Sequence, residues 1–181
     1  NSTKQRFGGI SVTSMAAGTQ SFYDFLHRNR SIEFHPCSLT HAAAVLADID
    51  GLCAINSALQ VDLAGNVNAE YSDGRQISLP GGLPDFAAGA TRAKGGRSIV
   101  ALRSTFGKQR TGNIVPRLAA GAPVTVGPVD VDFVVTEYGI AAVRGLSAAR
   151  RAAALVAVAH PDHRSNLDRE LAAMRLTEAA S

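Results

Sequence analysis

The sequence predicts an α/β fold. Three observations carry that expectation. Strand-like and helix-like segments alternate along the 181 residues. Three short apolar runs, 52–56, 98–102 and 131–136, have the length and β-branched content of buried strands. Helix signals with recognisable starts and stops lie around and beyond them, the clearest running from Ser147 to His160-Pro161.

The elements follow in chain order. Ile10 to Met15 is a short β-branched segment. Thr19 then offers a small polar start, and Phe22, Phe25 and Leu26 follow helical spacing, which predicts a helix over 20–29. Ile32 to Phe34 alternates and stops before Pro36, and 39–47 reads as one short Ala-rich helix. Leu52 to Asn56 is a compact apolar run with a polar end. Leu59, Val61 and Leu63 alternate with Gln60 and Asp62, the period of a half-buried strand. Gly65-Asn66 turns the chain, and 67–71 returns as its hairpin partner. Asp73-Gly74 makes a second turn. Ser98 to Leu102 is a third strand, Pro123 to Val126 a short fourth and Val131 to Thr136 a fifth. Ser147 caps a helix running to about Ala159, where His160-Pro161 stops it, and Leu167, Leu171 and Met174 line one face of a final helix.

Composition narrows the functional classes. With 46% hydrophobic and 18% charged residues the chain can bury a core, and neither repeat nor linker divides it. The net charge is only +3, no Lys/Arg run forms a stripe, and base stacking would have three Tyr and no Trp to draw on. Nucleic acid is therefore not an expected partner. No window reaches the roughly 18 apolar residues of a membrane span. Cys37 and Cys53 form no C-x-x-C and lie in or beside apolar segments, as reduced, half-buried residues of a cytoplasmic protein would. The start at Asn1, without Met or a targeting core, suggests a fragment or a processed chain.

Chemistry is concentrated in a few turns. Pro80-Gly81-Gly82-Leu83-Pro84 is a glycine turn feeding a helix, with Pro84 suited to the first helical turn. Such a helix start presents free N–H groups to a phosphate or an oxyanion, although the same residues also make a plain tight turn. Gly95-Gly96 is a second pair, just before a strand. Asn56 and Ser57 end a buried strand, the end that faces ligands in open α/β sheets. Taken alone they read as a turn-forming pair. Glu137, in Thr136-Glu137-Tyr138-Gly139, ends the strongest strand, where a carboxylate more often pairs than reacts. His35-x-Cys37-x-x-x-His41 and His160-x-x-His163 straddle prolines and lack further ligands, so no metal is expected. The standard hydrolase, kinase and dinucleotide fingerprints are absent from the sequence.

Read together, eight stretches resemble, in order and spacing, the C-terminal domain of the acetyl-CoA hydrolase/transferase family, which includes acetate, succinate and 4-hydroxybutyrate CoA-transferases. They are Ala54-Ile-Asn-Ser-Ala-Leu-Gln-Val-Asp-Leu63, Gly81-Gly-Leu-Pro-Asp-Phe86, Gly95-Gly-Arg-Ser-Ile-Val-Ala101, Ile114-Val-Pro116, Gly121-Ala-Pro-Val-Thr125, Asp130-Val-Asp-Phe-Val-Val-Thr-Glu-Tyr-Gly139, Arg144-Gly145 and Ala159-His-Pro-Asp162. The resemblance implies a CoA-transferase-type fold, a mainly parallel sheet with flanking helices in a single domain spanning 1–181. It implies a piece of a longer enzyme whose active site lies between two domains.

The implied reaction passes CoA from an acyl-CoA to a carboxylate, or to water, through a glutamyl-CoA thioester. CoA is then a substrate, and no permanently bound cofactor is expected. The partners implied are acyl-CoA, a carboxylate and the enzyme's own N-terminal domain, with a homodimer also envisaged. By the family's register the nucleophilic Glu precedes Asn1; residues 1–18 contain no Glu, and Glu33, Glu70 and Glu137 lie outside the nucleophile motif. The isolated chain is therefore expected to be inactive. The resemblance assigns Asn56 to the reacting acyl or carboxylate end and Gly81 and Gly82 to the thioester and pantetheine. It assigns Gly95 and Gly96 to the CoA phosphates and Glu137 to a supporting role. Asn113 stands where a basic residue commonly precedes Ile-Val-Pro, and Gly127-Pro128 replaces a segment that often carries Arg, departures that remove charge from an anion site. A stand-alone CoA- or nucleotide-binding module without catalysis is the alternative.

Overall fold

The computed structural model of the chain describes residues 4–179. It opens with β1 (Ser11–Thr13), α1 (Gln20–Leu26) and β2 (Ile32–Phe34), the two strands pairing in parallel across the helix. Thr19 caps α1 as expected, its Oγ1 accepting from the Phe22 N–H at 3.4 Å.

The Ala-rich stretch expected as one helix forms two, α2 (Cys37–Thr40) and α3 (Ala43–Ala47). Ala42 between them is extended. The break lets the His41 ring seat against Gly82 and edge-on to Phe86, with centroids 5.2 Å apart, so tertiary packing overrides helix propensity here.

Next come β3 (Cys53–Ser57), β4 (Gln60–Asp62), β5 (Val67–Asn68), β6 (Tyr71–Ser72), β7 (Arg75–Gln76) and α4 (Leu83–Arg92). They are followed by β8 (Arg97–Ala101), β9 (Thr105–Phe106), β10 (Thr111–Gly112) and β11 (Ile114–Val115). After a 3₁₀ turn at Pro128–Asp130 the chain ends in β12 (Phe133–Thr136), β13 (Gly139–Ala142), α5 (Ala148–Val158) and α6 (Pro161–Ala179). The strand expected over 123–126 reduces to one bridge between Val126 and Val67. Pro123 has no N–H to give a ladder, and the Thr125 hydroxyl instead accepts from the Ala69 N–H and donates to Glu70.

The sheets are mixed, which corrects the expectation of a mainly parallel one. The largest has the order β13-β12-β8-β3. β3, β8 and β12 run parallel, as crossovers through α4 and through the long segment 102–132 allow. β13 returns antiparallel after the two-residue turn Glu137–Tyr138. A second sheet, β11-β4-β5, joins one parallel and one antiparallel pair, the latter turning through Gly65 at φ +87°. Tight turns force antiparallel pairing, so each hairpin in the sequence adds an antiparallel edge.

The four-stranded sheet is covered on one face only. Ala54, Ser98, Val100, Val134 and Ala141 point to that side and are buried under α4 and α5. Val61, Val67 and Leu155 extend the same core to the second sheet and the helices. On the other face the row Ile55, Ile99, Phe133 and Ala142 holds no buried residue. Cys53 opens onto that face, and Cys37 lies at the start of α2. Both thiols are free and exposed, not half-buried as their apolar neighbours suggested. None of the described helices is long and apolar enough to cross a membrane.

Candidate active-site cavity

The carboxyl ends of β3, β8 and β12 open into a cavity of about 780 Å³, the crevice in which open α/β sheets hold ligands. Leu59, Ile77, Leu102 and Phe106 give it apolar walls, and Ser57, Arg103, Asn113 and Glu137 give it polar groups.

Two hairpins frame the opening. On one side the chain turns between β6 and β7 through Asp73 and Gly74, at φ +52° and +78°. That hairpin hangs from Asn68, which is wholly buried. Its Oδ1 accepts from the N–H groups of Glu70 at 3.0 Å and Tyr71 at 2.9 Å, and its Nδ2 donates to the Tyr71 carbonyl at 2.7 Å. On the other side β9 and β10 form a hairpin held at its base by Asn113, whose Nδ2 donates to the Arg103 carbonyl at 2.9 Å. Its tip is tied to the start of α6. The Arg110 guanidinium donates to buried His160, and His163 Nε2 donates to the Arg110 carbonyl at 2.8 Å.

Glu137 stands in the turn between β12 and β13, on the cavity wall. One carboxylate oxygen accepts from the Ser104 N–H at 2.9 Å and the other from its hydroxyl at 2.7 Å. These bonds favour the charged form, and the Ser104 hydroxyl above all holds the carboxyl below its ordinary range. Glu137 is thus an anchored anion with both oxygens engaged. It can orient a neighbouring donor, and as a nucleophile it would first have to leave Ser104.

The residues singled out from sequence fall into two groups. Asn56 is the penultimate residue of β3, on the helix-covered face and half-buried, and its amide has no hydrogen-bond partner among the described residues. Gly81 and Gly82 precede α4, which runs antiparallel to the strands it connects, so they lie at the same carboxyl end. Gly81 needs its glycine because φ is +59°, and a Cβ there would meet open space. At Gly82, where φ is ordinary, a Cβ would run into His41.

Gly95 and Gly96 lie at the amino end of β8, and so at the opposite edge of the sheet. Gly95 turns the chain at φ +68°, and a Cβ on Gly96 would strike the Ala90 carbonyl. The structure therefore brings Asn56, Gly81 and Gly82 to one end of the sheet and leaves Gly95 and Gly96 at the other. None of the five lines the cavity; Ser57 and Ala58, next to Asn56, do. Sequence reasoning passed over Arg103 and Ser104. The rule that singled out Asn56 applies equally to them, because they follow the carboxyl end of β8.

Residues 18–171 match the acetyl-CoA hydrolase/transferase C-terminal domain. The 4-hydroxybutyrate coenzyme A transferase of Clostridium kluyveri is 40% identical over 170 residues, covering 94% of this chain and 40% of that protein. The butyryl-CoA:acetate CoA-transferase of Anaerostipes caccae is 43% identical over 157 residues, covering 85% of this chain and 35% of its own length. Among solved structures, RipA from Yersinia pestis superposes with a TM-score of 0.90 at 38% identity, over 97% of this chain and 40% of RipA. The chain thus spans well under half the length of these relatives, and it belongs to the acetyl-CoA hydrolase/transferase family as a C-terminal domain of that family.

Proposed function

We propose that the chain is the acyl-CoA-binding C-terminal half of an acyl-CoA:carboxylate CoA-transferase or acyl-CoA hydrolase. The observation that carries this reading is the cavity at the carboxyl ends of three parallel strands, in a chain whose relatives are CoA-transferases. A chamber of this size whose wall is mostly apolar suits an acyl-pantetheine arm better than a free nucleotide.

The chemistry needs a nucleophilic Glu from the preceding domain. Its carboxylate adds to the thioester carbonyl and expels CoA thiolate, leaving an acyl-glutamyl anhydride. The thiolate adds to the glutamyl carbonyl of that anhydride and expels the acyl group as its carboxylate, leaving a glutamyl-CoA thioester. An acceptor carboxylate, or water, then repeats the sequence in reverse or hydrolyses the thioester. Every addition builds an oxyanion that wants fixed donors. In this reading the unpartnered Asn56 amide holds the acyl or carboxylate end, and Gly81 and Gly82 let the pantetheine approach. The assigned role of Gly95 and Gly96 in holding CoA phosphates requires the nucleotide to reach the far edge of the sheet.

The test compares the 181-residue chain with the full-length protein, by calorimetry with CoA and with NAD and by chromatographic assay of acyl transfer. CoA binding by both with transfer only by the longer protein is the expected result. CoA binding without transfer by either would establish a binding module instead. NAD binding in preference to CoA, or robust transfer by the isolated chain, would overturn the reading.

A further inference from the structure

The four-stranded sheet carries an asymmetry that the cavity does not explain. Parallel strands are ordinarily covered on both faces, because both faces are apolar. Here one face lies under α4 and α5 with Ala54, Val100 and Val134 buried, while across the other face no residue is buried. That second face is nonetheless built from Ile55, Ile99, Phe133, Val135 and Ile140, held in register across all four strands. Ile55 and Ile140 are 68% and 69% exposed. A single exposed isoleucine is ordinary; a continuous apolar sheet face marks a contact.

We propose that this face is the docking surface for the polypeptide that precedes the domain in its longer relatives. The inference rests on the reading of the chain as the C-terminal part of a longer enzyme, and it says where the rest of that enzyme sits. Two observations choose the occupant. The chain matches a C-terminal domain and spans 40% of the Clostridium kluyveri transferase, so most of such a protein lies before it. The face is also small: four strands about 4.8 Å apart and four to five residues of about 3.3 Å long give on the order of 300 Å². A stable dimer wants about 800 Å² per partner. A covalently joined domain needs less, because its association is intramolecular.

The surface is continuous with the cavity. Ser57, Ala101 and Val135 belong both to the last row of the open face and to the cavity wall. A domain seated there would complete the chamber and carry its own residues, the reactive carboxylate included, to the acyl end.

The exposed thiols supply the probe. Cys53 stands on the open face, opposite Arg97. Cys37 stands at the start of α2, outside the four-stranded sheet, and serves as internal reference. In the native full-length protein, alkylation followed by mass spectrometry should label Cys53 at least about tenfold more slowly than Cys37, with equal rates in urea. Ile140→Glu, and separately Ile55→Lys, should restore Cys53 labelling, since both side chains are exposed and neither change disturbs the buried core. Equal native rates would overturn the proposal, as would a gene product with no preceding domain. Protection that disappears on dilution to a monomer would assign the face to a second copy and also overturn it. Protection of Cys53 without acyl transfer would keep the docking surface and remove the catalytic reading. Transfer with Cys53 open would do the reverse.

Discussion

Replacing Asn68 with alanine removes the peg from which one wall of the cavity hangs. The side chain is 0% exposed and makes three hydrogen bonds, two accepted from N–H groups and one donated to a carbonyl. Each buried N–H left without a partner costs about 1–3 kcal/mol, and loss of the donated bond about 0.5–1.5 kcal/mol. Glu70 is buried, so its N–H bears the full penalty; Tyr71 is half-buried, and water can satisfy its groups in part. The expected destabilisation is therefore about 3 kcal/mol. Urea unfolding followed by circular dichroism measures it, with an unchanged m-value showing that the same surface is exposed. Acyl-CoA affinity should fall as well, because Tyr71, Ser72, Asp73 and Gly74 line the cavity. Asn68→Asp separates the contributions. It keeps the acceptor for both N–H groups but sets a carboxylate oxygen against the Tyr71 carbonyl, so its stability should improve as acid protonates it. A loss below about 1 kcal/mol for Asn68→Ala, at constant m, would refute the view that this side chain holds the hairpin.

Other consequences are equally direct. Ser104→Ala should raise the Glu137 pKa towards its ordinary value of 4.5, followed by carbon NMR of the labelled carboxyl. Because the folded value lies below the unfolded one, Glu137 adds stability above about pH 4.5 that is lost as pH falls through the folded pKa; Ser104→Ala should flatten that part of the acid-unfolding curve. Gly82→Ala should destabilise by about 1–3 kcal/mol through overpacking against His41, and His41→Ala should relieve much of it in a double-mutant cycle. Simple additivity would show that His41 is not the obstacle. Asn56→Ala should leave stability within about 0.5 kcal/mol and lower acyl-CoA turnover in the full-length protein; unchanged kinetics would remove Asn56 from the site.

The strands that could be read from sequence were those whose apolar side chains meet the common core. Val100 and Val134 are buried, and their runs announce it. β13 was not legible, because Gly139-Ile-Ala-Ala has no pattern of its own and becomes a strand only by folding back on β12. Helix α1 was legible through Thr19, whereas the break at Ala42 depends on a His41–Gly82 contact forty-one positions apart, beyond any local rule. The site divides in the same way. The end of a buried strand pointed to Asn56 and Glu137. The Ser104–Glu137 pair spans 33 residues and exists because β8 and β12 are neighbours in the sheet, a fact of topology. Cys53, Ile55 and Ser57 alternate with Ala54 and Asn56, and that period of two shows that β3 has two different faces without showing which one is bare.

Under the proposed docking, the bare face would tie enclosure of the chamber to the seating of a preceding domain, with a kinetic consequence. Ile55 lies in the middle row of the open face and does not line the cavity, so a charge there leaves the cavity wall itself unchanged. If a preceding domain seats on that row, Ile55→Glu loosens it and admits water to a chamber that transfer requires to be dry. In the full-length enzyme, release of CoA to water should then rise relative to transfer to a carboxylate, while kcat/KM for transfer falls by about tenfold or more, or at least about 1.4 kcal/mol. A change confined to the cavity, such as Phe106→Ala, should weaken acyl-CoA binding without favouring water to the same degree. Equal partitioning between water and carboxylate in wild type and Ile55→Glu would mean that the chamber is closed by this domain alone, and the open face would need another explanation.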